Sequence, residues 1–262
     1  MKKFCIQLLL LFMPFSLTGQ DYKLHLTLSA AGGNFTTDPI GNLYIYDKGD
    51  ITKYNVDGRE IARFSTREFG NITYLDASNP LKAVAIFKEF SKAIVLDASL
   101  AQQAVVELSF PGIPFVNVIC SSREEGYWIV DPLAKQIKKM NDQLQFTHEG
   151  TPLRQVTDKE MEPDFMIDSG NWLVMNANGY GLLVFDRFGT YYKTIAAQPS
   201  GIIQAAGDDI LFKESSEMIK INIKTGKIDH FLLPENKPDD LARVEGNRIF
   251  IKSENSIKIF TY

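Results

Sequence analysis

Apolar and polar positions along this chain alternate in short runs rather than in long helical stripes. One such run, Leu182-Leu183-Val184-Phe185, is closed by Asp186 and turned at Gly189, and a second strand-like run, Tyr191–Ile195, follows at once. The same arrangement recurs at Ile51–Gly58, Ala93–Asp97, Gln136–Asn141 and Met218–Asn222, with a sixth copy at Ser256–Phe260. Each copy is rich in β-branched and aromatic residues, which suit a pleated, half-buried surface. The first five end in Asn or Asp, side chains that close turns by bonding nearby backbone. Successive marks at Asn55, Asp97, Asn141, Asp186 and Asn222 lie 42, 44, 45 and 36 residues apart. A period of roughly 40 residues with several strands in each unit predicts an all-β fold, a β-propeller.

Four strands per unit can be drawn for five units. Blade one takes Phe35–Pro39, Leu43–Tyr46, Ile51–Asn55 and Glu60–Ser65. Blade two takes Ile72–Asp76, Ala83–Phe87, Ala93–Asp97 and Ala104–Leu108. Blade three takes Val116–Cys120, Tyr127–Val130, Gln136–Asn141 and Leu144–His148. Blade four takes Asp164–Ile167, Trp172–Asn176, Leu182–Asp186 and Tyr191–Ile195. Blade five takes Ile202–Ala205, Ile210–Lys213, Met218–Asn222 and Lys227–Leu232. The last unit has three strands, Leu241–Val244, Arg248–Lys252 and Ile257–Phe260, and one strand is left over at the other end of the chain. Leu24, Leu26 and Leu28 alternate there with His25 and Thr27, the pattern of a half-buried strand. An unpaired sheet edge is an aggregation template, so the expectation is six blades, closed by Lys23–Ser29 pairing beside Ile257–Phe260. The polar segment Glu149–Pro163 reads as a long loop between blades three and four, the kind of interruption associated with function.

Met1-Lys2-Lys3, an apolar run from Phe4 to Phe15 and the small Gly19 read as a cleaved secretory signal over residues 1–19, leaving one propeller domain over 20–262. The run is shorter than the roughly 20 residues of a membrane span. The expected location is the periplasm or cell envelope, or the medium. Without the signal, 26 basic residues face 32 acidic ones, a net charge of −6. That balance disfavours nucleic acid as a partner. Cys120 is then the only cysteine, so no internal disulfide can form, and Val118 and Ile119 beside it point to a buried inner strand.

The Asn/Asp-turn-Gly strand ends resemble those of NHL-type and other six-bladed propellers. Ala77-Ser78-Asn79-Pro80-Leu81-Lys82, Phe87-Lys88-Glu89-Phe90 and Phe185–Thr194 resemble segments of secreted propeller proteins of Bacteroidota-type bacteria. The resemblance implies an envelope protein and brings no catalytic residues with it. Among channel-facing candidates, Asp38, Asp76, Asp164, Asp168 and Asp208 would suit Ca2+ if they converged, as in the six-bladed sugar-lactone hydrolases. The competing role for each is a turn or strand-end cap. His25, His148 and His230 fall on outermost strands, which argues against a histidine metal site. No phosphate-cradling Gly loop or nucleophile elbow is present. Tyr191 and Tyr192, adjacent on one strand, must point to opposite faces. With Arg187 and Lys193 beside them, and Arg154 in the polar segment, they are the candidate interface residues. The reading that results is a non-catalytic, protein-binding or scaffolding propeller with an envelope protein as partner. The alternatives are a metal-dependent enzyme of lactonase or lyase type, or a carbohydrate-binding module.

Overall fold

The computed structural model describes residues 21–30, 32–110, 112–157, 161–199 and 201–262; the predicted signal, residues 1–19, lies outside the described residues. Among the described residues, twenty-four strands form six four-stranded antiparallel sheets arranged as the blades of a ring. In each of the first five blades the chain zigzags outward from an inner strand to an outer one. The inner strands of blades one to six are Asn34–Thr37, Tyr74–Asn79, Ile119–Ser121, Pro163–Asp168, Ile203–Ala206 and Leu241–Glu245. The outer strands of blades one to five are Glu60–Ser65, Gln102–Glu107, Phe146–Pro152, Tyr191–Ile195 and Ile228–Leu232.

Blade six is completed from the opposite end of the chain, as the leftover strand predicts. Lys23–Ser29 pairs antiparallel with Ser256–Thr261, Leu24 opposite Phe260 and Leu28 opposite Ile257. The sheet order places the N-terminal strand outermost. The apolar core is correspondingly divided into six clusters, one in each seam between neighbouring blades. Those blades need both faces of their middle strands buried, which explains continuous apolar runs such as Lys82–Phe87 and Gly181–Asp186 where a one-sided sheet would show alternation.

The Asn/Asp mark of the repeat has a definite structural job. Each of the five caps the hairpin between the third and outer strands. Asn55, Asp97, Asn141, Asp186 and Asn222 accept backbone N–H bonds at 2.8–3.1 Å from residues two to four positions on. The turn then passes through a left-handed residue at Gly58, Leu100, Leu144, Gly189 or Gly226. The sixth copy lies in the strand that pairs instead with Lys23–Ser29.

The segment Glu149–Pro163 departs from the expected long loop. Its first part continues the outer strand of blade three to Pro152, and a single 3-10 turn follows at Leu153–Gln155. Thr151 N–H donates to Gly189 O at 2.8 Å, and the Thr151 hydroxyl accepts from Tyr191 N–H at 2.9 Å. Gly150 lies so close to Gly189 that a Cβ there would meet its carbonyl at 2.6 Å. Bonds to the next blade thus hold a polar sequence extended. Leu153 and Met161 anchor its remainder in the core. Other boundaries shift by up to three residues.

Ile257 is fully buried at the closure seam. Ile257→Ala should lower unfolding free energy by about 2–5 kcal/mol, whereas Leu24→Ala, on the exposed side of the same pairing, should cost well under half as much; urea denaturation of both variants measures the difference.

Candidate functional site

Inner strands of a propeller all run the same way, so the channel has one end where they begin and one where they finish. At the first end, cavities of about 270 and 230 Å³ are separated by Tyr74, Asp164 and Phe165, which line both. Tyr74 and Phe165 meet edge to face, with ring centroids 5.4 Å apart, across the channel from blades two and four. A third cavity, about 300 Å³, opens at the finishing end and is lined by Thr37, Ser78, Arg123, Gln204 and Glu245, among others. Arg243 borders both ends.

Arg243 is 9 % exposed and central to a four-residue network. Its Nε–H donates to Thr37 Oγ1 at 2.8 Å, and that hydroxyl donates to Glu245 Oε1 at 2.7 Å. Gln204 completes the set by donating to Glu245 Oε1 and to Val244 O, both at 3.0 Å, while accepting from Val244 N–H at 2.8 Å. Blades five, six and one are joined through these bonds. Burial pushes the Glu245 carboxyl above the usual carboxylate range, against the opposing charge of Arg243. None of these four residues was singled out by sequence. The available signal was Arg243 itself, a lone cation inside the otherwise apolar stretch Leu241–Val244.

The five aspartates do not converge. Asp38 caps the first turn of its own blade, accepting from Ile40 N–H, Asn42 N–H, the Asn42 side chain and the Tyr44 hydroxyl at 2.7–3.1 Å. Asp76 accepts from Ser78 N–H and, across the seam, from Ser121 N–H at 2.8 Å. Asp168 takes Arg123 N–H and the Trp128 indole from blade three, at 3.1 and 3.2 Å, and Gly170 N–H at 2.6 Å. Asp208 joins blade five to blade four through the Trp172 indole at 2.7 Å, and Lys224 beside it holds its carboxyl below the usual range. Asp164 stands at the other end of the channel from Asp168 and bonds Asn176. Among the described residues no three His, Cys, Asp or Glu side chains gather as a metal-binding group.

Of the interface candidates, Arg187, Tyr191, Tyr192 and Lys193 belong to blade four and Arg154 follows the outer strand of blade three, and they do not face one way. Tyr191 packs inward on Phe185 and its hydroxyl meets Thr194 at 2.8 Å, whereas Tyr192 lies 49 % exposed against Trp172 with Lys193 over its ring. Their opposite directions match the strand pattern. Arg187 sits at the tip of a blade-four turn, stacked on Phe188 and 3.8 Å from Glu124. Arg154 belongs to the 3-10 turn at the other ring face. His25, His148 and His230 are all on outermost strands, and Cys120 is buried with its thiol pushed well above its ordinary pKa by that burial.

No family model and no curated sequence matches the chain. Solved structures do. Virginiamycin B lyase from Staphylococcus aureus superimposes with TM-score 0.61 at 16 % identity, covering 92 % of this chain and 100 % of that one. The WD40 domain of Neurospora crassa Pan2 gives 0.64 at 7 % identity, covering 93 % and 97 %. BamB from Moraxella catarrhalis gives 0.51 at 10 % identity, covering 90 % and 83 %. At these identities the likeness establishes the propeller fold and nothing about activity.

Asp168→Ala leaves the buried Trp128 indole and two backbone N–H groups without an acceptor, a loss of about 3 kcal/mol that denaturation followed by tryptophan emission should reveal; Asp164→Ala, which frees one side-chain amide, should cost about 1 kcal/mol. Glu245 holds its proton more tightly folded than unfolded, so its contribution is fully present below its unfolded pKa and is lost as pH rises through the folded one. Stability of Glu245→Gln relative to the unmodified protein should therefore increase as pH goes from about 4 to about 7, measured as the difference between their urea midpoints.

Proposed function

We propose that this chain is a non-catalytic, NHL-like propeller, exported by its N-terminal signal, that binds a protein partner in the bacterial cell envelope. One observation carries the reading. Ile40, Leu81 and Phe188 are 64, 74 and 54 % exposed at turn tips on the same ring face. Each follows its Asx residue by two, and each donates its N–H to that side chain, Asp38, Asn79 or Asp186. The same position in other turns on this face is Asp57 or Ser99. The turn therefore places no demand for an apolar residue there, and the three are free to serve recognition. Arg187 stacked on Phe188 adds the residue types most often found as binding anchors.

A lyase reading draws on the fold of virginiamycin B lyase, whose catalytically inactive variant has alanine in place of a histidine. This chain keeps its three histidines on outermost strands, and its channel carboxylates are engaged in turns and seams. Both facts support binding over catalysis.

Affinity capture from envelope extract of the native host should recover a protein in stoichiometric amount with the unmodified chain. The triple variant Ile40→Ser, Leu81→Ser, Phe188→Ser should fold normally, by circular dichroism, and lose that protein at least about tenfold. Equal recovery by both, or recovery by neither, would count against this face as the binding surface.

A further inference from the structure

An outer strand of a blade offers one row of backbone N–H and C=O groups to solvent, and proteins blunt such edges with charge, proline or bulges. Five of the six outer strands do so. Blade one carries the Glu60–Arg63 ion pair. Blade three has His148, Glu149, Pro152 and two register shifts. Lys193 lies within the blade-four strand, Asp229 and His230 within that of blade five, and Lys23 with His25 on that of blade six. Blade two is different. Gln102–Glu107 has no Lys, Arg, His or Pro, its register is regular from Ala104 on, and its only charge is terminal Glu107, which is already paired with Lys92. Gln102, Gln103, Ala104 and Val105 are all exposed, Val105 40 %.

We propose that this edge pairs with the same edge of a second copy, joining two blades into one eight-stranded sheet across a two-fold axis. An edge of unpaired backbone groups accepts only an extended chain, and antiparallel pairing satisfies both rows together. The strand is complementary to itself. With the axis at Val105, Val105 faces its own copy and Ala104 faces Val106. Gln103, whose amide donates to Asp97 at 2.9 Å within its own chain, faces Glu107, so a neutral side chain stands opposite each carboxylate. No like charges oppose each other in that register, and an isologous contact of this kind closes at two subunits. The pairing lies on the rim and leaves both ring faces, including Ile40, Leu81 and Phe188, open.

Analytical ultracentrifugation of the purified chain from residue 20 should show a concentration-dependent monomer–dimer equilibrium between about 1 and 200 μM, as suits an interface smaller than about 1,200 Å². Val105→Lys sets two ammonium groups face to face and should weaken association at least tenfold, with an unchanged circular dichroism spectrum. Val105→Cys should form an intermolecular disulfide under mild oxidation, while buried Cys120 alone should not. A single monomeric species at every concentration overturns the proposal, as does a dimer that survives Val105→Lys. So does a monomer whose Ala104–Glu107 amides gain exchange protection only when envelope extract is added, which would identify a foreign strand as the occupant. Because this measurement uses the chain alone, its failure leaves the partner-binding reading untouched, and failure of the capture experiment leaves this one standing.

Discussion

The pairing of Lys23–Ser29 with Ser256–Thr261 is the constraint from which the rest of the structure follows. A ring of sheets is stable only if every blade packs against two neighbours. The first and last blades become neighbours only when the ring shuts. Joining the two ends of the chain in one sheet makes that shutting cooperative with blade formation. Losing it would open the edge of Ser256–Thr261 and expose the seams on either side of blade six together. Among the described residues there is no disulfide to assist, so hydrogen bonds and buried apolar side chains such as Ile257, Ile259 and Phe260 carry the closure.

Within that frame, one turn is used four times, and blade five has a version one residue longer. Its Asn or Asp cap fixes the backbone, and the left-handed residue near its end reverses the chain. Gly fills that position in three blades at little steric cost. Leu100 and Leu144 occupy it in the other two, at φ of 62° and 61°. A left-handed leucine is disfavoured by about 1–2 kcal/mol, and burying its side chain recovers about as much. Leu100 is indeed buried between blades one and two, and Leu144 packs between blades two and three. This explains why the Gly of the motif is replaceable while the Asn or Asp is kept wherever a hairpin follows.

The blades were legible in the sequence because strand pattern and turn chemistry agree along most of the chain. Ring closure was legible because one alternating strand had no other partner. The outer strand of blade three was not, since Thr151 and Gly150 are held extended by Gly189 and Tyr191, some forty residues away, and local polarity said loop. By sequence the aspartates lie where inner strands begin, yet in the structure only Asp164 does. Asp38 and Asp208 lie beyond inner strands, Asp168 ends one and Asp76 lies within one, and their chemistry depends on which donors surround them. Ser121 N–H for Asp76, and the Trp128 and Trp172 indoles for Asp168 and Asp208, are contacts no local pattern encodes. Arg243, Thr37, Glu245 and Gln204 come from three blades for the same reason.

These contacts also bear on what such a ring is suited to do. Asp76, Asp168, Asp208 and the Arg243 network are committed to holding seams together, so exchanging one of them would loosen a blade. At five of the Asx-capped turns the residue two places after the cap carries no such burden: its N–H is fixed by the cap, while its side chain is exposed. Asp57, Ser99, Ile40, Leu81 and Phe188 show how widely that position varies within this one chain. The side chain at that position can therefore change without cost to the ring. The seams hold the ring together, and the turn-tip side chains are the ones that can vary without loosening it.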